Sequence, residues 1–397
     1  MLTRLSGSIL LPLALAFVTS AAVGGPQENA VGSTVNDRVL KRAVRDMCNK
    51  DIAMLGEASH GDAQTEAFKI QLIERLVAQC GYNALLFEAS FAEFIPLGRA
   101  QRNGVPVTEE RIASAIGGLW KFDREFQPLL PFLAEMVNRK KLFVGGIDHQ
   151  IGGLGQDYAN AGAVAELTAD LPQEVADGCG RLVRDHLYKG FSADRTSETR
   201  RCIASIKAVL DAGEGIENAE KRMLLANLDV ALTSDFSAHR SAHIATRDRQ
   251  MYANFQWLKQ RLKPDSKIMI WSATVHIADG ADEATNFSGV ANLGHYIKRD
   301  YGKRAFALGF SALAGTRRSG RESLRLPEAP GNSLEMCALQ NSSFDRQYLD
   351  KRQLRKIGEA PSAAFGNGFR QAAWWQRLDA LVVFLEERAA QPVQSGR

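Results

Sequence analysis

The sequence predicts an α/β fold: a mostly parallel sheet with helices on both faces and a helical insertion between the third and fourth strands. Three observations carry that expectation. Short apolar runs rich in Leu, Ile, Val and Phe recur at residues 52–55, 84–87, 142–147, 268–271, 305–310 and 381–384. Unbroken runs of this kind are what strands covered on both faces look like. Each run is followed by a polar cluster and then by a longer segment of helical spacing, the alternation of βαβ units. Between the third and fourth runs, residues 154–264 offer no convincing strand, yet place apolar residues at helical intervals, as in Leu182, Val183, His186 and Leu187, or Leu224, Leu225, Leu228 and Leu232.

Along the chain, the first element to set aside is the N-terminus. Arg4 precedes an apolar run at 9–18, broken by Pro12, and small residues fill 19–25. The run is shorter than the roughly 20 residues a membrane span needs. Residues 1–24 therefore read as a secretory signal peptide, which implies a periplasmic or secreted protein with no stable membrane anchor. The rest divides into a first part of an α/β catalytic unit (25–153), the helical insertion (154–264), which caps the sheet, and a second part of the α/β unit (265–397). The first helix after the opening strand is predicted over 62–79, with Gly81 as its stop. After Ser311, the residues Gly315, Thr316, Arg317, Arg318, Ser319, Gly320 and Arg321 read as loop chemistry too long for a bare connection, and such loops are usually functional or mobile.

Composition narrows the function classes. The 397 residues are 45% hydrophobic and 24% charged, which excludes disordered, collagenous and coiled-coil chains. Lys and Arg number 49 against 45 Asp and Glu, and a net charge of +4 on such a chain is too small to argue for nucleic acid or an anionic membrane. A small-molecule partner is the expectation. The cysteines are Cys48, Cys80, Cys179, Cys202 and Cys337, with no CxxC pair, so a zinc ribbon is excluded. In an oxidising compartment Cys179 and Cys202 would bridge two predicted helices, the alternative being buried free thiols; the odd count leaves at least one thiol unpaired.

In open parallel sheets ligands bind beyond the carboxyl ends of the strands. The residues that directly follow the runs are Gly56, Glu57, Ala58, Ser59, His60 and Gly61; Glu88, Ala89 and Ser90; Asp148, His149 and Gln150; and Ser272, Ala273, Thr274, Val275 and His276. Four strands thus bring an acid, a histidine or both to one edge, the placement of a catalytic cleft. Glu57 and Asp148 also suit capping roles at the start of a helix or loop. His60 has no such alternative, because a turn there needs the glycine and not the imidazole. Glu88 ends an apolar run, and a buried carboxylate without partners is costly. No GxSxG elbow, HExxH helix, Walker loop or GxGxxG fingerprint is present. His239 and His243, four apart, would share a helix face and could share a metal; no acid completes a third ligand nearby, so an exposed or capping pair is preferred. The basic clusters at 195–201 and 351–356 lack interleaved aromatics and read as solvated helix faces.

These residues resemble the erythromycin esterase family: Gly56-Glu57-Ala58-Ser59-His60-Gly61, then Leu86-Phe87-Glu88, Gly146-Ile147-Asp148-His149, and Trp271 through His276. Glu66 and Lys69 in the first helix, and Arg247, Asp248 and the stretch 251–254, resemble the family as well. The resemblance implies an α/β hydrolase that opens a macrolactone ester with activated water, without a covalent serine intermediate, cofactor or obligatory metal. Carried over by position, His60 is the general base, Glu57 and Glu88 surround it, and His276 is the late histidine, steadying a developing oxyanion or leaving alkoxide. Lys69, Asp148, His149 and Thr274 are expected to bind substrate. Two departures point away from macrolide resistance: Ala273 and Thr274 stand where the family usually has a His and an Asn, and Lys69 replaces the usual Arg. An exported enzyme also fits poorly with guarding cytoplasmic ribosomes, so another ester or lactone is the expected substrate. The competing readings are an exported protein that binds a metal or haem-like ligand on the same scaffold, and a metal-dependent hydrolase with His60, Glu57, Glu88 and His276 as ligands.

Overall fold

The computed structural model describes residues 30–152, 156–235, 240–280, 291–320, 322–339 and 342–393. The expected signal segment 1–24 lies outside them, as do His239 and the side chain of His243. All six apolar runs form strands: β1 (Ile52–Leu55), β2 (Tyr82–Ser90), β3 (Phe143–Asp148), β4 (Lys267–Trp271) and β5 (Ala305–Ser319), and the last strand of the chain, Ala380–Glu387. Between β5 and that last strand come β6 (Glu322–Arg325), β7 (Arg346–Asp350), β8 (Ala360–Phe365) and β9 (Gly368–Ala372), which makes Ala380–Glu387 β10. The main sheet has the order β3-β2-β4-β1-β5-β10-β7. Along this order the pairings are parallel except for β7, which runs antiparallel to β10, and β6 joins off this path, antiparallel to the end of β5.

Both sheet faces are covered, and side chains alternate between them. Ile52, Met54, Leu86, Ile268, Ile270 and Val383 face one buried cluster; Ala53, Leu55, Phe87, Met269, Trp271 and Val382 face the other. Burial on both sides is why the period of two is hidden in the sequence. Between β3 and β4 the regular elements among the described residues are all helices. The helices Gln173–Lys189, Thr196–Asp211, Ile216–Thr233 and Arg240–Lys259 contribute Cys179, Ile206, Leu224 and Phe255 to the first cluster. The second face is covered by the helices Ala30–Cys48, Ala63–Cys80, Glu109–Ile116 and Leu129–Asn138. Helix Ala63–Cys80 ends as the sequence predicts, on Gly81 in the left-handed conformation at φ 73°.

Two expectations need correction. Residues 315–319 are not loop: β5 continues through them and pairs antiparallel with β6, Thr316 facing Arg325 and Ser319 facing Glu322. Gly and Arg along a solvent-facing hairpin resemble loop composition, because such a strand has no apolar face to reveal it. The cysteines also pair more fully than expected. Cys179–Cys202 joins two helices of the insertion, and Cys48–Cys80 joins the ends of the two helices flanking β1, leaving Cys337 free and exposed. Both Cys48 and Cys80 are the last residues of their helices, 32 positions apart, so only the folded sheet brings them together.

Candidate functional site

The chain leaves β2 toward β3 and leaves the adjacent β4 in the opposite direction toward β5. That divergence opens a crevice at the carboxyl ends of the two strands. At the end of β2 the register with β3 slips: Phe87 faces Gly146, yet Ser90 faces Asp148. The extra residue is a bulge, a device that re-aims side chains beside active sites. Gly146 permits it, since a Cβ there would come within 2.6 Å of the Ala89 carbonyl oxygen. Glu88 sits in this bulge, 1% exposed.

Glu57, also 1% exposed, follows β1 and accepts four donors. Its Oε1 takes Nδ1 of His60 at 2.6 Å and Nε1 of Trp120 at 3.1 Å; its Oε2 takes Nζ of Lys69 at 2.8 Å and Nε1 of Trp271 at 3.0 Å. Burial pushes the Glu57 carboxyl up, but Lys69 and His60 outweigh it and hold it below its ordinary value. A carboxylate only accepts, so Nδ1 of His60 carries the hydrogen and Nε2 keeps the lone pair of the neutral ring. His60 is the open member of the group, its side chain 31% exposed. Burial lowers its affinity for a proton, yet Glu57 and then Glu88 raise it above the ordinary value, against Arg247.

Glu88 likewise accepts four donors. Oε1 takes Nη2 of Arg247 at 2.7 Å and lies 3.3 Å from Nε2 of His276; Oε2 takes the Ser272 hydroxyl and the Ala273 amide, each at 2.7 Å. Burial opposes its charge, but His276 and Arg247 hold it well below the ordinary range. His276 places Nδ1 2.9 Å from Asp248 and Nε2 toward Glu88, so both nitrogens face carboxylates and both carry hydrogens. Burial alone would lower it, but Asp248 and Glu88 push it up to about 10, so it is a cation at neutral pH. Arg247 completes the set by clasping Asp148, Nη2 to Oδ2 at 2.6 Å. Burial works against the Asp148 charge, while Arg247 and His149 hold the group below its ordinary value. Four carboxylates (Glu57, Glu88, Asp148, Asp248) thus meet three cations (Lys69, Arg247, His276), and a proton on His60 would balance the charge.

The sequence-derived residues come together, but in different roles from those expected for several of them. Lys69 is 0% exposed and its ammonium is spent on Glu57, so it orients that carboxylate rather than reaching a substrate. Thr274 is buried too; its amide donates to the Glu57 carbonyl at 2.9 Å. His149 is buried with Nδ1 3.4 Å from Asp148. His276 holds Glu88 from behind rather than facing an oxyanion. Asp148 does line a cleft of about 460 Å³, together with Glu88, Ser90, Gln150, Gln156 and Leu119. Sequence reasoning missed Trp120 as a donor to Glu57, and it noticed Arg247 and Asp248 only through the resemblance, without a role. The helix that carries them is polar around the pair, with Thr246, Arg249, Gln250 and Asn254 close by, so the local sequence has no contrast that singles them out.

A sequence model of a family described as Erythromycin esterase matches residues 77–386. The Bacillus subtilis (strain 168) protein named "Putative hydrolase YbfO" is 24% identical over 327 residues, covering 73% of this chain and 70% of that protein. A crystal structure from Bacillus cereus superposes with a TM-score of 0.69 at 17% identity, covering 90% of this chain and 99% of the other. A mutant of the erythromycin esterase EreC in its open conformation superposes with a TM-score of 0.65 at 14% identity, covering 89% of this chain and 94% of the other. A succinoglycan biosynthesis protein gives 0.66 at 14%, covering 92% and 100%. At these identities the structural matches establish the fold alone.

Proposed function

The chain belongs to the erythromycin esterase family, and on that premise we propose that it is an exported hydrolase that cleaves an ester or lactone with water activated by His60. The observation that carries the reading is the state of His60: about one-third open to solvent, its Nδ1 hydrogen fixed on Glu57 and its Nε2 turned toward Glu88 beside the cleft. Nε2 takes a proton from water while the hydroxide adds to the ester carbonyl carbon. The tetrahedral intermediate then expels the alkoxide, which recovers the proton from Nε2 and leaves as the alcohol. Glu57 holds the ring in the correct tautomer and stabilises the imidazolium, and Glu88, charged through Arg247 and His276, orients the water.

The metal-dependent alternative is disfavoured by the donors themselves. Glu57 already accepts from His60, Trp120, Lys69 and Trp271, and His276 directs Nδ1 at Asp248 and Nε2 at Glu88, so these residues would hold an ion only by giving up the partners they have. Turnover of a panel of aryl esters, alkyl esters and lactones, measured before and after chelator, tests the reading. Activity that survives the chelator supports it; activity lost with the metal, or absent throughout, overturns it.

Export is supported by the two bridges Cys48–Cys80 and Cys179–Cys202, because such pairs persist in oxidising compartments. N-terminal sequencing of protein from its host should find a start near residues 22–25. An intact Met1 in a membrane fraction would contradict that.

A further inference from the structure

Trp120 lies between the helices Glu109–Ile116 and Leu129–Asn138, is 0% exposed, and meets the His60 ring edge-on at a centroid distance of 5.2 Å. Its indole N–H uses the same Glu57 oxygen that takes the Nδ1 hydrogen of His60, whereas Lys69 and Trp271 use the other. Residues just before it, Ile116, Gly118 and Leu119, line the cleft.

The segment is gripped from the β5–β6 hairpin by Arg318. Its guanidinium pairs with the buried Asp123, donates from Nη2 to the Leu119 carbonyl at 3.1 Å, and packs on Gly61, the neighbour of His60. Gly61 has φ +82°, and a Cβ there would lie 2.8 Å from Nε of Arg318. One side chain therefore touches the His60 turn and both flanks of Trp120.

We propose that Trp120 is a positioning residue that limits how firmly Glu57 holds the His60 proton, and that Arg318 keeps Trp120 in that place. Two donors on one carboxylate oxygen share its charge. With the indole withdrawn, that oxygen serves His60 alone and the imidazolium gains stability. The remaining charged groups facing this centre stay as they are: Glu57, Glu88 and Arg247 around His60, Lys69 behind Glu57, and Asp123, Glu66 and Asp62 around Arg318. Trp120→Phe removes the N–H and keeps an aromatic body against Phe126 and Trp271.

The test is the titration midpoint of His60, read by imidazole NMR on the full chain, with His60→Ala identifying its resonance. Trp120→Phe should raise the midpoint by about half a unit to one unit, the worth of one hydrogen bond. Arg318→Met should also raise it, and in that background Trp120→Phe should add nothing further. Arg318→Lys, which keeps the cation, should stay near the wild type. If Arg318→Met alone fails to fold because Asp123 is left buried and unpaired, the pair Arg318→Met with Asp123→Asn replaces it. An unchanged or lower midpoint in Trp120→Phe, or full additivity of the two changes, overturns the proposal. It rests on the hydrolase reading only for its consequence on rate: a wild type that turns over no ester sinks that reading, while the midpoints still decide this one.

Discussion

Nε2 of His60 stands 4.0 Å from Oε1 of Glu88. That is too long for a direct hydrogen bond and close enough for the carboxylate charge to act on the ring. The base and its orienting acid thus remain separate, with Glu57 holding the opposite side of the imidazole at 2.6 Å.

One consequence is the pH dependence of the rate. His60 must be neutral to take a proton, and Glu57 and Glu88 together raise its affinity for one. The value of kcat/KM should therefore climb with pH through a midpoint above the ordinary histidine value of about 6.5. A profile that rises with a midpoint below 6, or falls as His60 loses its proton, would contradict the assignment.

Glu88→Gln should be costly in two ways. Arg247 keeps Asp148 and His276 keeps Asp248, but both lose their shared carboxylate. Breaking such a buried cluster costs about 3 kcal/mol, to be read by denaturant unfolding, and kcat should fall by roughly 100-fold. A folded variant with wild-type kcat would remove Glu88 from the mechanism.

Glu66 gives a prediction of the opposite sign. Burial and then the neighbouring Glu57 push its carboxyl up to about 9, and neither oxygen has a hydrogen-bond partner among the described residues. The unfolded chain ionises this group from about pH 4.5 upward while the folded chain keeps the proton. Its contribution therefore destabilises increasingly as pH rises toward 9. Glu66→Gln should match the wild-type melting temperature near pH 4 and exceed it by roughly 3 °C or more at pH 8. A gap that does not grow with pH would show that Glu66 is charged in the fold.

Thiol labelling of the denatured chain without reductant should find one reactive group, Cys337, and all five cysteines after reduction. Three or more labelled thiols before reduction would mean that at least one bridge is absent.

The sheet and the edge of the site were legible because both depend on local order. Strands covered on two faces are continuous apolar runs, and Glu57, His60, Glu88, Asp148 and His276 come directly after four of them. The groups that give those residues their charge states were not legible as such. Arg247 and Asp248 arrive from the helix Arg240–Lys259, and their assignment to Glu88 and His276 depends on how that helix lies on the sheet. Asn254 helps fix it, donating to the Ile147 carbonyl at 2.8 Å. Leu119, the neighbour of Trp120, and Arg318 meet across 199 residues of chain, from a turn and a hairpin with no periodicity to mark them. Lys69 was visible, but its partner was not, and the partner decides whether it binds substrate or orients Glu57.

The central claim is that His60 is the base, and the most direct measurement compares wild type with His60→Ala on any ester the protein turns over, with melting temperatures alongside. The account predicts a fall in kcat by a factor on the order of 100 to 10,000, with little change in stability, since a partly exposed turn side chain supports little packing. Equal turnover by the two proteins on every cleaved ester would contradict it.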